Sequence, residues 1–124
     1  MRVEIFGTEL EIKESRLDRT ESEIQRQITG YLEGERKSFN TSVSFPDSFT
    51  GDIMQEIYQI GYGETKTYGK IAEKLDSSPV AVGQACGRNP VPVIVPYHRV
   101  VGKNGLGGYT AGVEAKRRLL ELED

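Results

Sequence analysis

The sequence predicts an α+β fold in two parts: a small N-terminal α/β unit over residues 1–46 and a helix-turn-helix domain over residues 47–124. Three observations carry this. Apolar and charged residues alternate around a turn near the start. Three short helices, each with its own start signal, follow one another between residues 50 and 87. The charge also divides: residues 1–63 hold 7 basic and 12 acidic side chains, residues 64–118 hold 9 basic and 4 acidic ones, and the tail LLELED adds three carboxylates.

In order along the chain, VEIFGTELEIK reads as a hairpin. Val3, Ile5, Leu10 and Ile12 alternate with charges around Gly7–Thr8. A helix begins near Thr20, where Thr20 and Glu23 have capping-box spacing. Ile24, Ile28, Tyr31 and Leu32 follow on one face. SVSF is expected to form a brief strand closed by Pro46. No recognisable chemistry lies in this unit, and its expected role is scaffold.

Ile53, Met54, Ile57, Tyr58 and Ile60 give a helix from about residue 50 to 60, and GYGET a turn. Thr67 caps TYGKIAEKL, with Ile71, Ala72 and Leu75 facing inward. Asp76–Ser78 followed by Pro79 starts the next helix, VAVGQACG. The three helices make a helix-turn-helix pattern. The third is nearly bald, with Ala81, Gly83, Ala85 and Gly87. Each glycine costs a helix about 1 kcal/mol relative to alanine. Two explanations stand open: another backbone packs against the helix, or a nucleic-acid groove approaches it. NPVPVIVPYHRVV is expected to be a buried extended segment, GKNGLGGYTAG a backbone-exposing loop, and VEAKRRLLELE a helix using Val113, Leu119 and Leu120.

The 124 residues are enough for one domain with a real core, and 36% hydrophobic with 28% charged residues is ordinary for a soluble chain. No apolar run approaches the roughly 18 residues of a membrane span. The start is too charged for a signal peptide. One cysteine rules out an internal disulfide framework. With a single histidine beside it, it also argues against a zinc or iron–sulfur centre, so no metal or cofactor is expected. The basic half suits a polyanionic partner as well as an ordinary solvated surface. The expected location is cytoplasmic, with the nucleoid, or the nucleus in a eukaryote, as the working compartment.

The segment RNPVPVIVPYHRVVGKNGLGGYTAGVEAKRRLLELE, following the helix-turn-helix and the small-residue helix, resembles the alkylguanine-DNA alkyltransferases, or methylated-DNA–protein-cysteine methyltransferases. NPVP, PxHRVVG and GGY occur in family order. The resemblance covers residues 46–123, and residues 1–45 resemble the family's variable N-terminal domain. It implies a winged helix-turn-helix that enters the minor groove and flips an alkylated guanine into a pocket. There a cysteine, deprotonated through a histidine that a glutamate orients, takes the alkyl group once. A monomer on double-stranded DNA is implied, with other repair proteins as further partners.

Carried over by position, His98 is the family histidine, Glu123 the orienting glutamate and Asn89 the asparagine that holds the active-site turn. Tyr68, Cys86, Gly107, Gly108, Tyr109 and Thr110 fall on the substrate pocket. Val80, Ala81, Gly83, Gln84, Gly87, Arg88, Arg99 and Lys103 fall on the DNA-binding surface. Two positions depart from the pattern. Tyr97 stands where the family has its acceptor cysteine, and Val80 aligns with the arginine that props the duplex. A free phenol has a pKa near 10, so ionising it at pH 7 costs roughly 4 kcal/mol. Its ring also fills space that a base or its alkyl group would need. Family members without the cysteine, the alkyltransferase-like proteins, are understood to bind alkylated DNA without repairing it. The implied function is therefore lesion binding without transfer. The alternatives are an active transferase with Cys86 or Tyr97 as acceptor, a transferase whose cysteine has been altered to Tyr97, and a winged-helix module without lesion recognition. His98 itself is either part of a lesion site or an architectural imidazole joined to Glu123.

Overall fold

The computed structural model describes residues Met1–Asp124. Strands β1 (Arg2–Ile5) and β2 (Thr8–Glu11) pair antiparallel, with Val3 opposite Leu10. Phe6 and Gly7 at the turn both have positive φ, as a two-residue hairpin requires. The alternation places Val3, Ile5, Leu10 and Ile12 inside. Helix α1 (Glu21–Leu32) starts where the Thr20 side chain accepts from Glu23 N–H, and it buries Ile24, Ile28 and Tyr31. The strand expected at SVSF is a single bridge, Val43 to Leu17. Four residues ending at a proline leave little ladder to build.

Helices α2 (Phe49–Tyr58), α3 (Tyr68–Lys74) and α4 (Pro79–Gly87) are capped by Ser48, Thr67 and Ser78. Before α3, the two-residue strand β3 (Lys66–Thr67) pairs in parallel with β4 (Val100–Val101). Helix α5 (Val113–Glu123) closes the chain. Its inward face is Ala115, Lys116, Leu119 and Glu123, so Val113, read as a core residue, is instead 52% exposed. It occupies the first helical position, off the 116–119–123 face. One core of 25 buried residues runs from Val3 to Leu119 and takes side chains from both halves of the chain.

NPVPVIVPYHRVV is buried from Val91 to Val100 but is extended only at its end, in β4. Val95 N–H returns to Val91 carbonyl, Val93 has φ of 75°, and Tyr97–Arg99 form a 3-10 turn. Three prolines remove the donors a strand would need. A β-branched residue with positive φ is costly, so the surroundings must hold it. The result is a compact turn that points consecutive side chains in different directions.

Candidate functional site

Asn89 fixes this turn from within. Its Nδ2 donates to Val95 carbonyl at 2.9 Å and its Oδ1 accepts from Val91 N–H at 3.0 Å. Beyond it, His98 is fully buried, with Nε2 2.9 Å from Glu123 Oε2. The carboxylate makes Nε2 the protonated nitrogen and leaves a lone pair on Nδ1, which has no protein partner. Burial pushes the imidazole pKa down, against the pull of Glu123, so the ring is held neutral. Burial alone raises the Glu123 carboxyl, but hydrogen bonds from His98 and Arg99 outweigh it and hold the group well below the usual range.

Arg99, read from the sequence as a DNA contact, lies inside. Its Nε and one terminal nitrogen each reach Glu123 at 2.8 Å, and the other reaches Ile60 carbonyl at 2.6 Å. A 3-10 turn points residues 98 and 99 both inward, so the guanidinium meets α5 and not solvent. Residues 1–46, read as scaffold, also send one side chain into this network. Tyr31, fully buried on α1, donates its hydroxyl to Glu123 Oε2 and lies 3.3 Å from His98 Nε2. A tyrosine on a buried face signals a hydroxyl in need of a partner. That partner is 92 residues away, beyond the reach of sequence spacing.

On the other side of the turn, a cavity of about 460 Å³ opens between α4 and the loop after β4. Tyr68, Val80, Gly83, Cys86, Tyr97, Gly108, Tyr109 and Thr110 line it, so most of the expected pocket residues do meet. Gly107 does not line it but is required behind it. Its φ is 76°, and a Cβ there would come within 2.7 Å of the Tyr68 ring. Tyr97 is 3% exposed, stacks on Tyr109 at 4.4 Å and accepts from Thr110 N–H. Burial raises the phenol pKa further, making it a still poorer nucleophile. Cys86 fares no better: burial pushes its thiol up to about 11 despite the charge of Lys116.

Lys116 was not singled out in the sequence. It is fully buried, and its Nζ donates to Val100 carbonyl at 2.6 Å, to Gly108 carbonyl at 3.2 Å and to the Tyr68 hydroxyl at 3.3 Å. Burial lowers its pKa to about 8. The ammonium ties α5 to Tyr68 on α3 and to the loop after β4. Its spacing from Leu119 and Glu123, three and seven residues, was the legible signal.

Helix α4 carries the remaining candidates on one side of this cavity. Val80 is 70% exposed, Gln84, Gly87 and Arg88 are exposed, and Ala81 and Gly83 are half-buried. Arg88 Nε reaches only Thr50 Oγ1, at 3.4 Å, and Lys103 is exposed on the loop after β4. The question of the bald helix has an answer. A Cβ at Gly87 would meet nothing within 4 Å, and one at Gly83 only the Tyr68 ring at 3.9 Å. Internal packing does not demand either glycine, so the close-packed-backbone explanation fails and the approach of a nucleic-acid groove is the one kept for the proposal below. Gly87→Leu is therefore expected to leave the thermal midpoint unchanged or raised, since a helix gains up to about 1 kcal/mol on losing a glycine. The same variant should lose DNA affinity in a fluorescence titration.

Comparison with known proteins fits this geometry. Residues 48–124 match the family model described as 6-O-methylguanine DNA methyltransferase, DNA binding domain. The methylated-DNA–protein-cysteine methyltransferase of Archaeoglobus fulgidus is 45% identical over 111 residues, covering 84% of this chain and 76% of its own. That of Sulfolobus acidocaldarius is 42% identical over 105 residues, covering 84% and 68%. Among solved structures, Mycobacterium tuberculosis OGT in complex with DNA superposes with a TM-score of 0.76 at 40% identity, over 82% of this chain and 66% of that one. The chain thus spans about two thirds to three quarters of the length of these relatives. The fold is that of a DNA-repair alkyltransferase domain. This chain belongs to the O6-methylguanine-DNA methyltransferase family. No helix is long and apolar enough to cross a membrane.

Proposed function

We propose that this protein binds double-stranded DNA carrying O6-alkylated guanine, as a monomer, and leaves the alkyl group in place. The observation that carries the reading is Tyr97. It is a buried, protonated phenol, read as occupying the family's acceptor position, beside an ordered Asn89–His98–Glu123 arrangement. The bald face of α4 is read as the part that enters the minor groove, where small residues let the backbone come close. The β3–β4 pair with its following loop is read as the wing. In this reading residues 47–124 form the DNA-binding domain, and residues 1–46 brace it through Tyr31. The flipped base would occupy the cavity that Tyr68, Tyr109 and Thr110 line. Val80 at its rim suits an apolar wedge between base steps, in place of a charged one. Marking the lesion for other repair proteins then follows as the use of binding without transfer.

The test is a titration of matched duplexes, with and without one O6-methylguanine, at several salt concentrations, followed by intact-mass spectrometry of the protein. Tighter binding to the methylated duplex with no methyl adduct is expected. Equal affinity for both duplexes would reduce the protein to a general DNA-binding module. A methyl adduct would make it a transferase.

A further inference from the structure

The loop that walls the cavity is held from beneath at two points. Lys116 Nζ holds Gly108 through its carbonyl, at 3.2 Å. Tyr97 holds Thr110 through its amide, the phenol oxygen accepting at 3.3 Å. The two tethers differ in position. The lysine is fully buried behind the wall, whereas Tyr97 and Thr110 both line the cavity. Tyr97 is also set firmly, since its ring lies 4.4 Å from that of Tyr109 with 30° between the planes. The Thr110 N–H is thus taken, in the free protein, by a side chain standing in the space a ligand would enter. A base that meets the amide edge of this loop must first displace the phenol oxygen from it.

We propose that Tyr97 is the specificity-determining residue of this cavity: its phenol competes with an inserted base for Thr110 N–H and so sets the gap in affinity between damaged and undamaged DNA. The inference rests on the lesion-binding reading above. It concerns only the part of binding that requires a base in the cavity. A duplex held on α4 with all its bases stacked never meets the contact and gains or loses nothing from it. The ligand class follows from the chemistry: a planar base presenting an oxygen or nitrogen acceptor, able to replace the phenol oxygen it expels.

Tyr97→Phe isolates the effect, because it keeps the ring stacked on Tyr109 and removes only the oxygen. A single hydrogen bond of ordinary strength corresponds to an affinity change of roughly 2- to 10-fold. The variant is expected to bind an O6-methylguanine duplex tighter by that factor and to bind the undamaged duplex as the parent does. Unchanged or weaker binding to the methylated duplex, in a variant with the parent's circular dichroism, would overturn the proposal. Amide hydrogen exchange in the free protein tests the contact without any lesion. Thr110 should exchange more slowly than Gly108, whose amide bonds to no protein group, and should lose that protection in Tyr97→Phe. Exchange of Thr110 as fast as Gly108 in the parent would sink the idea even if the variant failed to fold. If the parent shows no preference for the methylated duplex, the lesion-binding function falls. The exchange comparison then still decides, by itself, whether the phenol holds the loop.

Discussion

Tyr97→Cys is expected to give the protein the ability to remove the methyl group from DNA. The substitution changes three quantities together. An ordinary thiol ionises near 8.5 against about 10 for a phenol, so the cost of ionisation at pH 7 falls from roughly 4 to roughly 2 kcal/mol. The parent phenol is worse than ordinary, because burial raises it. Removing the ring also clears space in the cavity for the base. Finally, the neighbouring imidazole is suited to act as a base. It is held neutral by burial, its Nε2 is committed to Glu123, and its Nδ1 lone pair is unpartnered. The variant should lose some stability, since deleting a buried aromatic ring typically costs about 3–5 kcal/mol. Intact-mass spectrometry after incubation with an O6-methylguanine duplex reads the outcome, and peptide mapping should place the methyl group on residue 97. Cys86 should remain unmodified in both proteins. With its thiol at about 11, forming the thiolate at pH 7 costs about 5 kcal/mol. A folded, DNA-binding Tyr97→Cys protein that acquires no methyl group would show that the His98–Glu123 pair is architectural.

Glu123→Gln should be the most destabilising conservative change in the chain. The Glu123 carboxylate, 5% exposed, takes Tyr31, His98 and the Nε–Nη2 edge of the Arg99 guanidinium, and Gly63 N–H approaches at 3.3 Å. Removing its charge leaves the Arg99 guanidinium buried without a counter-ion, a change that typically costs 3–5 kcal/mol. That is a large share of the roughly 5–15 kcal/mol a domain has. Chemical denaturation of the two proteins measures it, and a loss below about 1 kcal/mol would mean the network is not what holds α5. The pH profile gives a second reading. Glu123 has a depressed folded pKa, so its contribution is complete above the unfolded value of 4.5 and is lost as the pH falls toward the depressed one. His98 is also depressed, from 6.5. Below 6.5 the unfolded chain binds a proton that the folded one refuses, and stability falls. The parent should therefore weaken in two stages on acidification, first below 6.5 and again below 4.5. In Glu123→Gln the second stage should shrink.

The elements were legible wherever a local rule governs them. Thr20, Ser78 and Pro79 are helix starts in any context, because a hydroxyl cap and a missing proline donor act within one turn. The hairpin alternation buried the residues it named. The strand expected at SVSF is a single bridge and the extended segment expected before His98 is a turn, because apolar content is visible in a sequence and a pairing partner is not. Val113 was misplaced by counting apolar residues without fixing the phase of α5. The buried charges were the harder loss. Sequence placed Arg99 on the DNA surface, since an arginine is ordinarily solvated and nothing local says that Glu123 waits for it.

The sequence by itself determined the helix-turn-helix order, the bald α4 and the apolar run leading into Tyr97 and the lone His98. These follow from residue identity and from spacing within a turn or two. Only the tertiary structure decided that Tyr31, from the opposite end of the chain, joins His98 and Glu123. It alone also decided that Lys116 is buried against the cavity wall, and that the Tyr97 hydroxyl is engaged by Thr110. Each of these is a contact between groups 13 to 92 residues apart, made because a buried polar atom must find a partner. Which partner it finds depends on how the whole core packs.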